Sequence, residues 1–168
     1  MPANFLPAAT PAPDFELTAV YTKRRFNLRG CAGTPVLLAF VSYNTRDQVQ
    51  ALSLAVREKY PRLEQVITAN LIDLSYVPSL ARRMVENMMA GALREAVKQI
   101  PKDYPPYDYL ILLPDWSGKV SRAYRVKDVS QQPALVMVDR GGLILDSYQG
   151  EAPTQAALEL VARAIKAS

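Results

Sequence analysis

A thiolate is the strongest nucleophile a side chain of this protein could offer, and Cys31 is its single cysteine. Arg29, two residues away, is placed to lower the thiol pKa, because a nearby cation favours the anion. One thiol makes no internal disulfide, no Cys-x-x-Cys pair and no cysteine-rich zinc site. The chain also has no histidine. A His-based triad, a His metal ligand and a His general base are therefore excluded, and most familiar hydrolase and metalloenzyme chemistry goes with them. Cys31 sits in a loop before an apolar run and reads as a structural or incidental cysteine ahead of a nucleophile. Asp73, Asp115, Asp139 and Asp146 stand singly at the ends of apolar runs without ligand spacing, so neither a metal site nor a cofactor is expected.

The other chemistry on offer is recognition. Asn44, Thr45, Arg46, Asp47 and Gln48 follow an apolar run and open a predicted helix. Asn44 is a good N-cap, and Asp47 three residues on is an acidic near-match to a capping box that favours the helix dipole. Trp116, Tyr104, Tyr107 and Tyr109 gather around Pro105-Pro106, either as an aromatic recognition surface or, the expected reading, as a loop packed on itself. Met84, Met88 and Met89 could form a flexible recognition stripe; ordinary core packing is expected. Lys23-Arg24-Arg25 reads as a solvated hairpin edge.

These residues are positioned by a chain of 168 residues, long enough for one domain, with 49% hydrophobic content for its core. The 20 basic and 16 acidic residues leave a net charge of +4 with no long basic block, so no nucleic-acid partner is expected. No apolar run is long enough to span a membrane, and the N-terminus lacks the pattern of a signal peptide; cytoplasmic is the default location.

Residues 1–13, with Pro2, Pro7, Pro11 and Pro13, predict an extended surface arm pinned by Phe5 and Leu6. Residues 14–168 predict the folded domain. Asp14–Val20 alternates as a strand and Arg25–Leu28 is its hairpin partner. Pro35–Tyr43 is apolar throughout and fits a central parallel strand buried on both faces. A helix from Asn44 stops at Tyr60-Pro61, and a second buried strand covers residues 63–73. A long helical segment at about 78–100 places Leu80, Met84, Met88, Leu93, Val97 and Ile100 at helical spacing. A short strand follows Pro105-Pro106, then a turn and a short helix near 120–126. Two strands joined by Arg140-Gly141-Gly142 and a final helix from Pro153 complete the order. Strands alternating with helices argue for an α/β layer sandwich with a mixed sheet.

Four stretches, in this order, resemble the thioredoxin fold of the AhpC/TSA (peroxiredoxin or redoxin) group and the TlpA-like thioredoxins. Ala12–Leu17, APDFEL, is similar to that group's opening strand, and NLRG followed by PVLLAF to its approach to the active-site strand. DWSGKVSRAYRV, residues 115–126, is similar to its D-x-x-G … Y-x-V segment. QQPALVMVDRGGLI, residues 131–144, resembles its cis-proline strand and following hairpin. The redox-dead YtfJ-type proteins share the general look. The resemblance implies a thioredoxin-like three-layer α/β/α sandwich, with a mixed central sheet and an N-terminal β-hairpin.

In that pattern the nucleophile stands at a helix N-terminus, where the dipole stabilises a thiolate. Counting on from Phe40, the TlpA-like cysteines fall at Thr45 and Gln48. A peroxiredoxin threonine is on offer, but no cysteine follows it, and the arginine that assists peroxide binding would fall near Gln132–Pro133. The usual redox site is thus degenerate. The resemblance implies a cis peptide at Gln132–Pro133 facing Asn44–Gln48, a surface that pairs with an extended polypeptide in thiol-active relatives. Asn44, Thr45, Arg46, Asp47, Gln48, Gln132 and Pro133 are accordingly the candidate binding residues for an anion or a polypeptide, against a solvated helix end with no ligand. Two functions follow: a redox-inactive binding or regulatory module, or an atypical thiol oxidoreductase or peroxidase using Cys31.

Overall fold

The most apolar run in the chain becomes the middle of the sheet. In the computed structural model, which describes residues 4–167, β3 (Val36–Val41) is buried along its whole length. Unbroken apolar character is what a strand needs when both of its faces are covered. β4 (Ile67–Asp73) pairs parallel with β3, and β5 (Ile111–Asp115) parallel with β4. On the other side β6 (Ala134–Val138) is antiparallel to β3, and β7 (Ile144–Gln149) to β6. The order is β5-β4-β3-β6-β7, with β1 (Glu16–Thr18) and β2 (Arg25–Asn27) as a separate antiparallel hairpin. This is the expected mixed sheet with its N-terminal hairpin. β4 starts at Ile67, later than the predicted residue 63, because Gln65 and Arg62 close a turn in which Gln65 N donates to Arg62 O and Arg62 N to Gln65 Oε1, both at 3.1 Å.

Side chains alternate across a strand, so β3 feeds two cores. Leu37, Ala39 and Val41 face α1 (Arg46–Lys59) and α5 (Pro153–Lys166), where Val49, Leu52, Val56, Leu160 and Val161 meet them. Val36, Leu38 and Phe40 look the other way, towards Ala19 and Leu28 of the hairpin region and towards Val120 and Tyr124 in and after α4 (Lys119–Ala123). At ~1.5–3 kcal/mol for each fully buried Leu, Val or Phe, these layers are the main favourable term in folding.

The N-terminal arm lies along the second face as an extended segment. Phe5, Leu6 and Ala12 pack on its core. Ala9 N donates to Ile144 O at 2.8 Å, Ala12 N to Gly142 O at 2.9 Å, and Ile144 N to Thr10 O at 2.9 Å. The arm thereby covers the start of the β7 edge, whose groups would otherwise be open to pairing. Residues 1–3 of the predicted arm lie outside the described residues.

The long helical segment is continuous through Gly91. A 3-10 turn over Ser79–Ala81 leads into α2 (Arg82–Val97). Its packing corrects the expected one. Met89, Leu93, Val97 and Ile100 meet Val20, Leu110 and Tyr107, while Leu80, Met84 and Met88 are 98%, 62% and 62% exposed. Successive helical residues turn by about 100°. Leu80, Met84 and Met88 therefore share one side, and the residues from Met89 to Ile100 supply a complete buried stripe on roughly the opposite side. Among the described residues no helix is long and apolar enough to cross a membrane.

Candidate functional site

β3 and β4 run parallel in the register Val41↔Ile72, and β5 joins in the register Asp73↔Asp115. The residues that follow all three strands therefore emerge at one end of the sheet. There the chain turns from β3 into α1. The helix begins at Arg46 with Thr45 in the cap position, one residue later than the predicted cap at Asn44. Thr45 builds the turn instead of the helix: its Oγ1 accepts the Ser42 N–H at 2.9 Å and lies 3.2 Å from Ser42 Oγ. The side chain is wholly buried. Asn44, Arg46 and Asp47 are exposed. Arg46 donates to Tyr43 O at 2.8 Å with its guanidinium carbon 3.9 Å from the Tyr43 ring centroid, and its Nε is 3.6 Å from Asp47 Oδ1.

The segment before β6 faces this helix start, as expected, but with different contacts. Gln48 Nε2 donates to Gln131 O at 3.3 Å, and Ser42 Oγ to Val129 O at 2.9 Å. From β7, Gln149 Nε2 reaches Asp128 O at 2.6 Å and Gln132 O at 3.0 Å. The main-chain carbonyls of Asp128, Val129, Gln131 and Gln132 are thus engaged by the protein's own side chains. No cis peptide bond occurs among the described residues, which corrects the expected cis bond at Gln132–Pro133. Trans is the lower-energy form of an X–Pro bond by ~0.5–1 kcal/mol. Pro133 is buried. Of the predicted binding residues, Thr45 and Pro133 lie beneath the surface that Asn44, Arg46, Asp47, Gln48 and Gln132 present.

Cys31 is at the other end of the sheet. It closes a 3-10 turn (Arg29–Cys31) before β3, so the length of that strand separates it from Thr45. Its thiol is half-buried and 3.6 Å from Asn27 O. Burial pushes the thiol pKa up. Arg29 does not counter this, because its Nε is 2.8 Å from Asp14 Oδ2. The predicted activation of Cys31 by Arg29 is therefore corrected.

The remaining sequence candidates have structural work. Asp115 is buried and its Oδ2 accepts the N–H groups of Val120 at 2.9 Å and Ser121 at 3.1 Å, which starts α4. Gly118 takes φ +67° in the tight turn between. Tyr124 donates its hydroxyl to Pro13 O at 2.7 Å and tethers the arm. The D-x-x-G … Y segment is thus a helix start and an anchor. Asp139 Oδ1 accepts Gly141 N and Leu143 N, each at 2.9 Å, in the β6–β7 turn, and Asp146 pairs with Arg163 at 2.7 Å. Lys23, Arg24 and Arg25 pair with Glu86, Asp108 and Glu16. Around α3 (Pro106–Tyr109) the Tyr104 and Tyr109 rings of the loop pack 5.1 Å apart, while Tyr107 stacks at 4.4 Å on Tyr21 of the β1–β2 hairpin. Trp116 does not join them. It lies past the far end of β5, with the Arg82 guanidinium carbon 5.5 Å from its ring centroid.

No protein-family model matches the sequence, and no curated protein matches it. Solved structures do. A protein from Chlorobium tepidum assigned as thiol:disulfide interchange protein DsbE superposes with a TM-score of 0.66 at 20% identity, covering 95% of this chain and 99% of that one. The exposed lipoprotein thioredoxin Etrx1 of Streptococcus pneumoniae gives 0.65 at 19% identity over 90% and 99%. BsSco, of the Sco family of cytochrome c oxidase assembly proteins, gives 0.65 at 14% identity over 98% of each chain. This chain has the thioredoxin fold.

In a thioredoxin fold the turn from β3 into α1 is where a nucleophilic cysteine gains from the helix dipole, and here it holds Thr45 and Gln48. That end of the fold also exposes Tyr43 and Tyr76, which the sequence did not single out, the second of them shortly before the methionines weighed as a recognition stripe. Tyr43 is 67% and Tyr76 76% exposed; both follow parallel strands, and Leu80 follows Tyr76 closely. Trp116, half-buried under Arg82, follows the third parallel strand, and Met84 and Met88 are exposed on α2. The signal was present in the spacing, since α2 carries two apolar stripes and one suffices to bury it.

Proposed function

We propose that this protein is a redoxin-type member of the thioredoxin fold with a degenerate thiol site, acting as a binding module for a protein partner without redox turnover. The observation that carries the reading is Thr45. At the position where the resemblance to TlpA-like thioredoxins expects the first cysteine, a threonine is buried and bonded into its own turn. A hydroxyl has no accessible anion near neutral pH, and no histidine is available to activate it. Cys31 is remote, and its raised pKa keeps it as the unreactive thiol. The same reading extends the resemblance to AhpC/TSA and YtfJ-type proteins as a scaffold kept after its chemistry was lost.

A partner surface is supported at the end of the sheet where catalysis would occur. Contiguous exposed apolar side chains on a monomer mark interaction sites, and methionines adapt to partner shape. Arg82 and Arg83 flank the stripe, and among the described residues neither forms an ion pair. Their charge favours an acidic partner. The carbonyls of Asp128, Val129, Gln131 and Gln132 already have internal donors, so the partner engages side chains of Tyr43, Leu80 and Met84 more than a main-chain edge. The test is disulfide and peroxide reduction by wild type and Cys31→Ser with external thiol in excess. Both are expected at the buffer rate; turnover that depends on Cys31 would overturn the proposal in favour of an atypical thiol enzyme.

A further inference from the structure

α1 carries one ionised side chain inward, away from the helix start. Arg57 follows Ser53 by one turn, and both line a cavity of about 460 Å³ between α1 and residues 99–110. The guanidinium has only weak partners. Nη1 reaches Tyr60 O and Nη2 reaches Thr68 Oγ1, each at 3.4 Å, and the Tyr109 ring centroid is 4.9 Å from Cζ. Both bonds are at the long end of hydrogen-bonding distance. Nε is buried with no partner, as is Ser53 Oγ. Among the described residues Arg57 forms no ion pair, and its neighbour Glu58 is an exposed residue at the cavity wall.

A charge withdrawn from water needs compensation, and two long bonds to neutral oxygens supply little. Burial pushes the Arg57 pKa down to about 10, which leaves it cationic at neutral pH. Apart from Gln99, the rest of the wall is apolar and aromatic, formed by Leu54, Ile100, Pro101 and Leu110 with Tyr104 and Tyr109. One cation at the end of a mainly apolar, ring-lined space matches a single anionic head on an apolar body.

We propose that this cavity binds a small aromatic monocarboxylate, its carboxylate on the Arg57 guanidinium and its ring against Tyr104 and Tyr109. A guanidinium fork fits a planar carboxylate, and aromatic rings offer faces for stacking. The volume lies within the usual ~300–1,000 Å³ of small-molecule sites. The site is separate from the loop between β3 and α1, and it stands whether or not that loop has redox activity.

The probes are phenylacetate, its neutral isostere phenylacetamide, and inorganic phosphate, titrated into the full chain and followed by amide NMR shifts. Phenylacetate is expected to give saturable shifts confined to residues 53–58 and 99–110, with a parallel rise in melting temperature. Phenylacetamide and phosphate should bind at least tenfold more weakly. Arg57→Met should lose at least tenfold in phenylacetate affinity. Absence of saturable shifts with phenylacetate, equal binding of the amide, equal binding of phosphate, or unchanged affinity in Arg57→Met would each overturn the proposal. The three wild-type titrations decide it without recourse to a variant.

Discussion

Thr45 and Cys31 divide between them what an active thioredoxin-fold site would unite. Thr45 has the position and no thiol, and its hydroxyl is committed to the Ser42 N–H. Cys31 has the thiol and neither the position nor the electrostatics, because Arg29 is taken by Asp14 and burial favours the neutral form. A measurable consequence follows for pH. Alkylation of Cys31 in the native protein should be slow at neutral pH and should reach its midpoint above ~8.5, where an ordinary thiol is half ionised. The folded pKa is raised, so the stability this thiol contributes is full below the unfolded value and is lost as pH rises beyond it. Wild type should therefore lose stability relative to Cys31→Ser above that pH in urea titrations. A native alkylation midpoint below the ordinary thiol value would contradict the account.

At the scale of elements, α2 and the turn before α4 make opposite predictions. Leu80 and Met84 face solvent, so Leu80→Lys and Met84→Lys should each change stability by no more than about 0.5 kcal/mol. Leu93→Ala, on the buried stripe of the same helix, should cost about 2–5 kcal/mol. Urea midpoints of the three variants check this, and a large loss at Leu80 would mean that the stripe is core after all. Gly118 has φ +67°, and a Cβ there would come within 2.7 Å of Arg122 Nη1 and 3.1 Å of Asp73 Oδ1. Gly118→Ala should cost about 1–3 kcal/mol, with an unchanged denaturant slope. That glycine was visible in the sequence as part of D-x-x-G; its physical reason, a left-handed turn that lets Asp115 start α4, needed the structure. The exposed stripe of α2 was misread because spacing alone does not say which of two apolar faces meets the sheet.

For the whole molecule, the unbroken apolar run at Pro35–Tyr43, the glycine hairpin at Gly141-Gly142 and the alternation of strands with helices were enough to read the layer sandwich. Those signals are local and periodic. The site was legible as an approximate location, with Asn44–Gln48 facing the segment before β6, and less so in its contacts. Whether Gln48 meets Gln131 or Gln132, whether Pro133 is cis, and whether Thr45 is buried are decided by long-range packing that one sequence does not record. Arg57 was missed for the same reason, since on α1 it looks like any surface arginine. The claim that joins these levels is the proposed one, that the strand, turn and helix of a thiol site are kept while its cysteines are lost. It is tested by disulfide-reductase turnover measured side by side for wild type and the double variant Thr45→Cys with Gln48→Cys. The prediction is no turnover from wild type, and an internal disulfide with turnover above background in the variant. Turnover by wild type, or a variant that forms no internal disulfide, would contradict it.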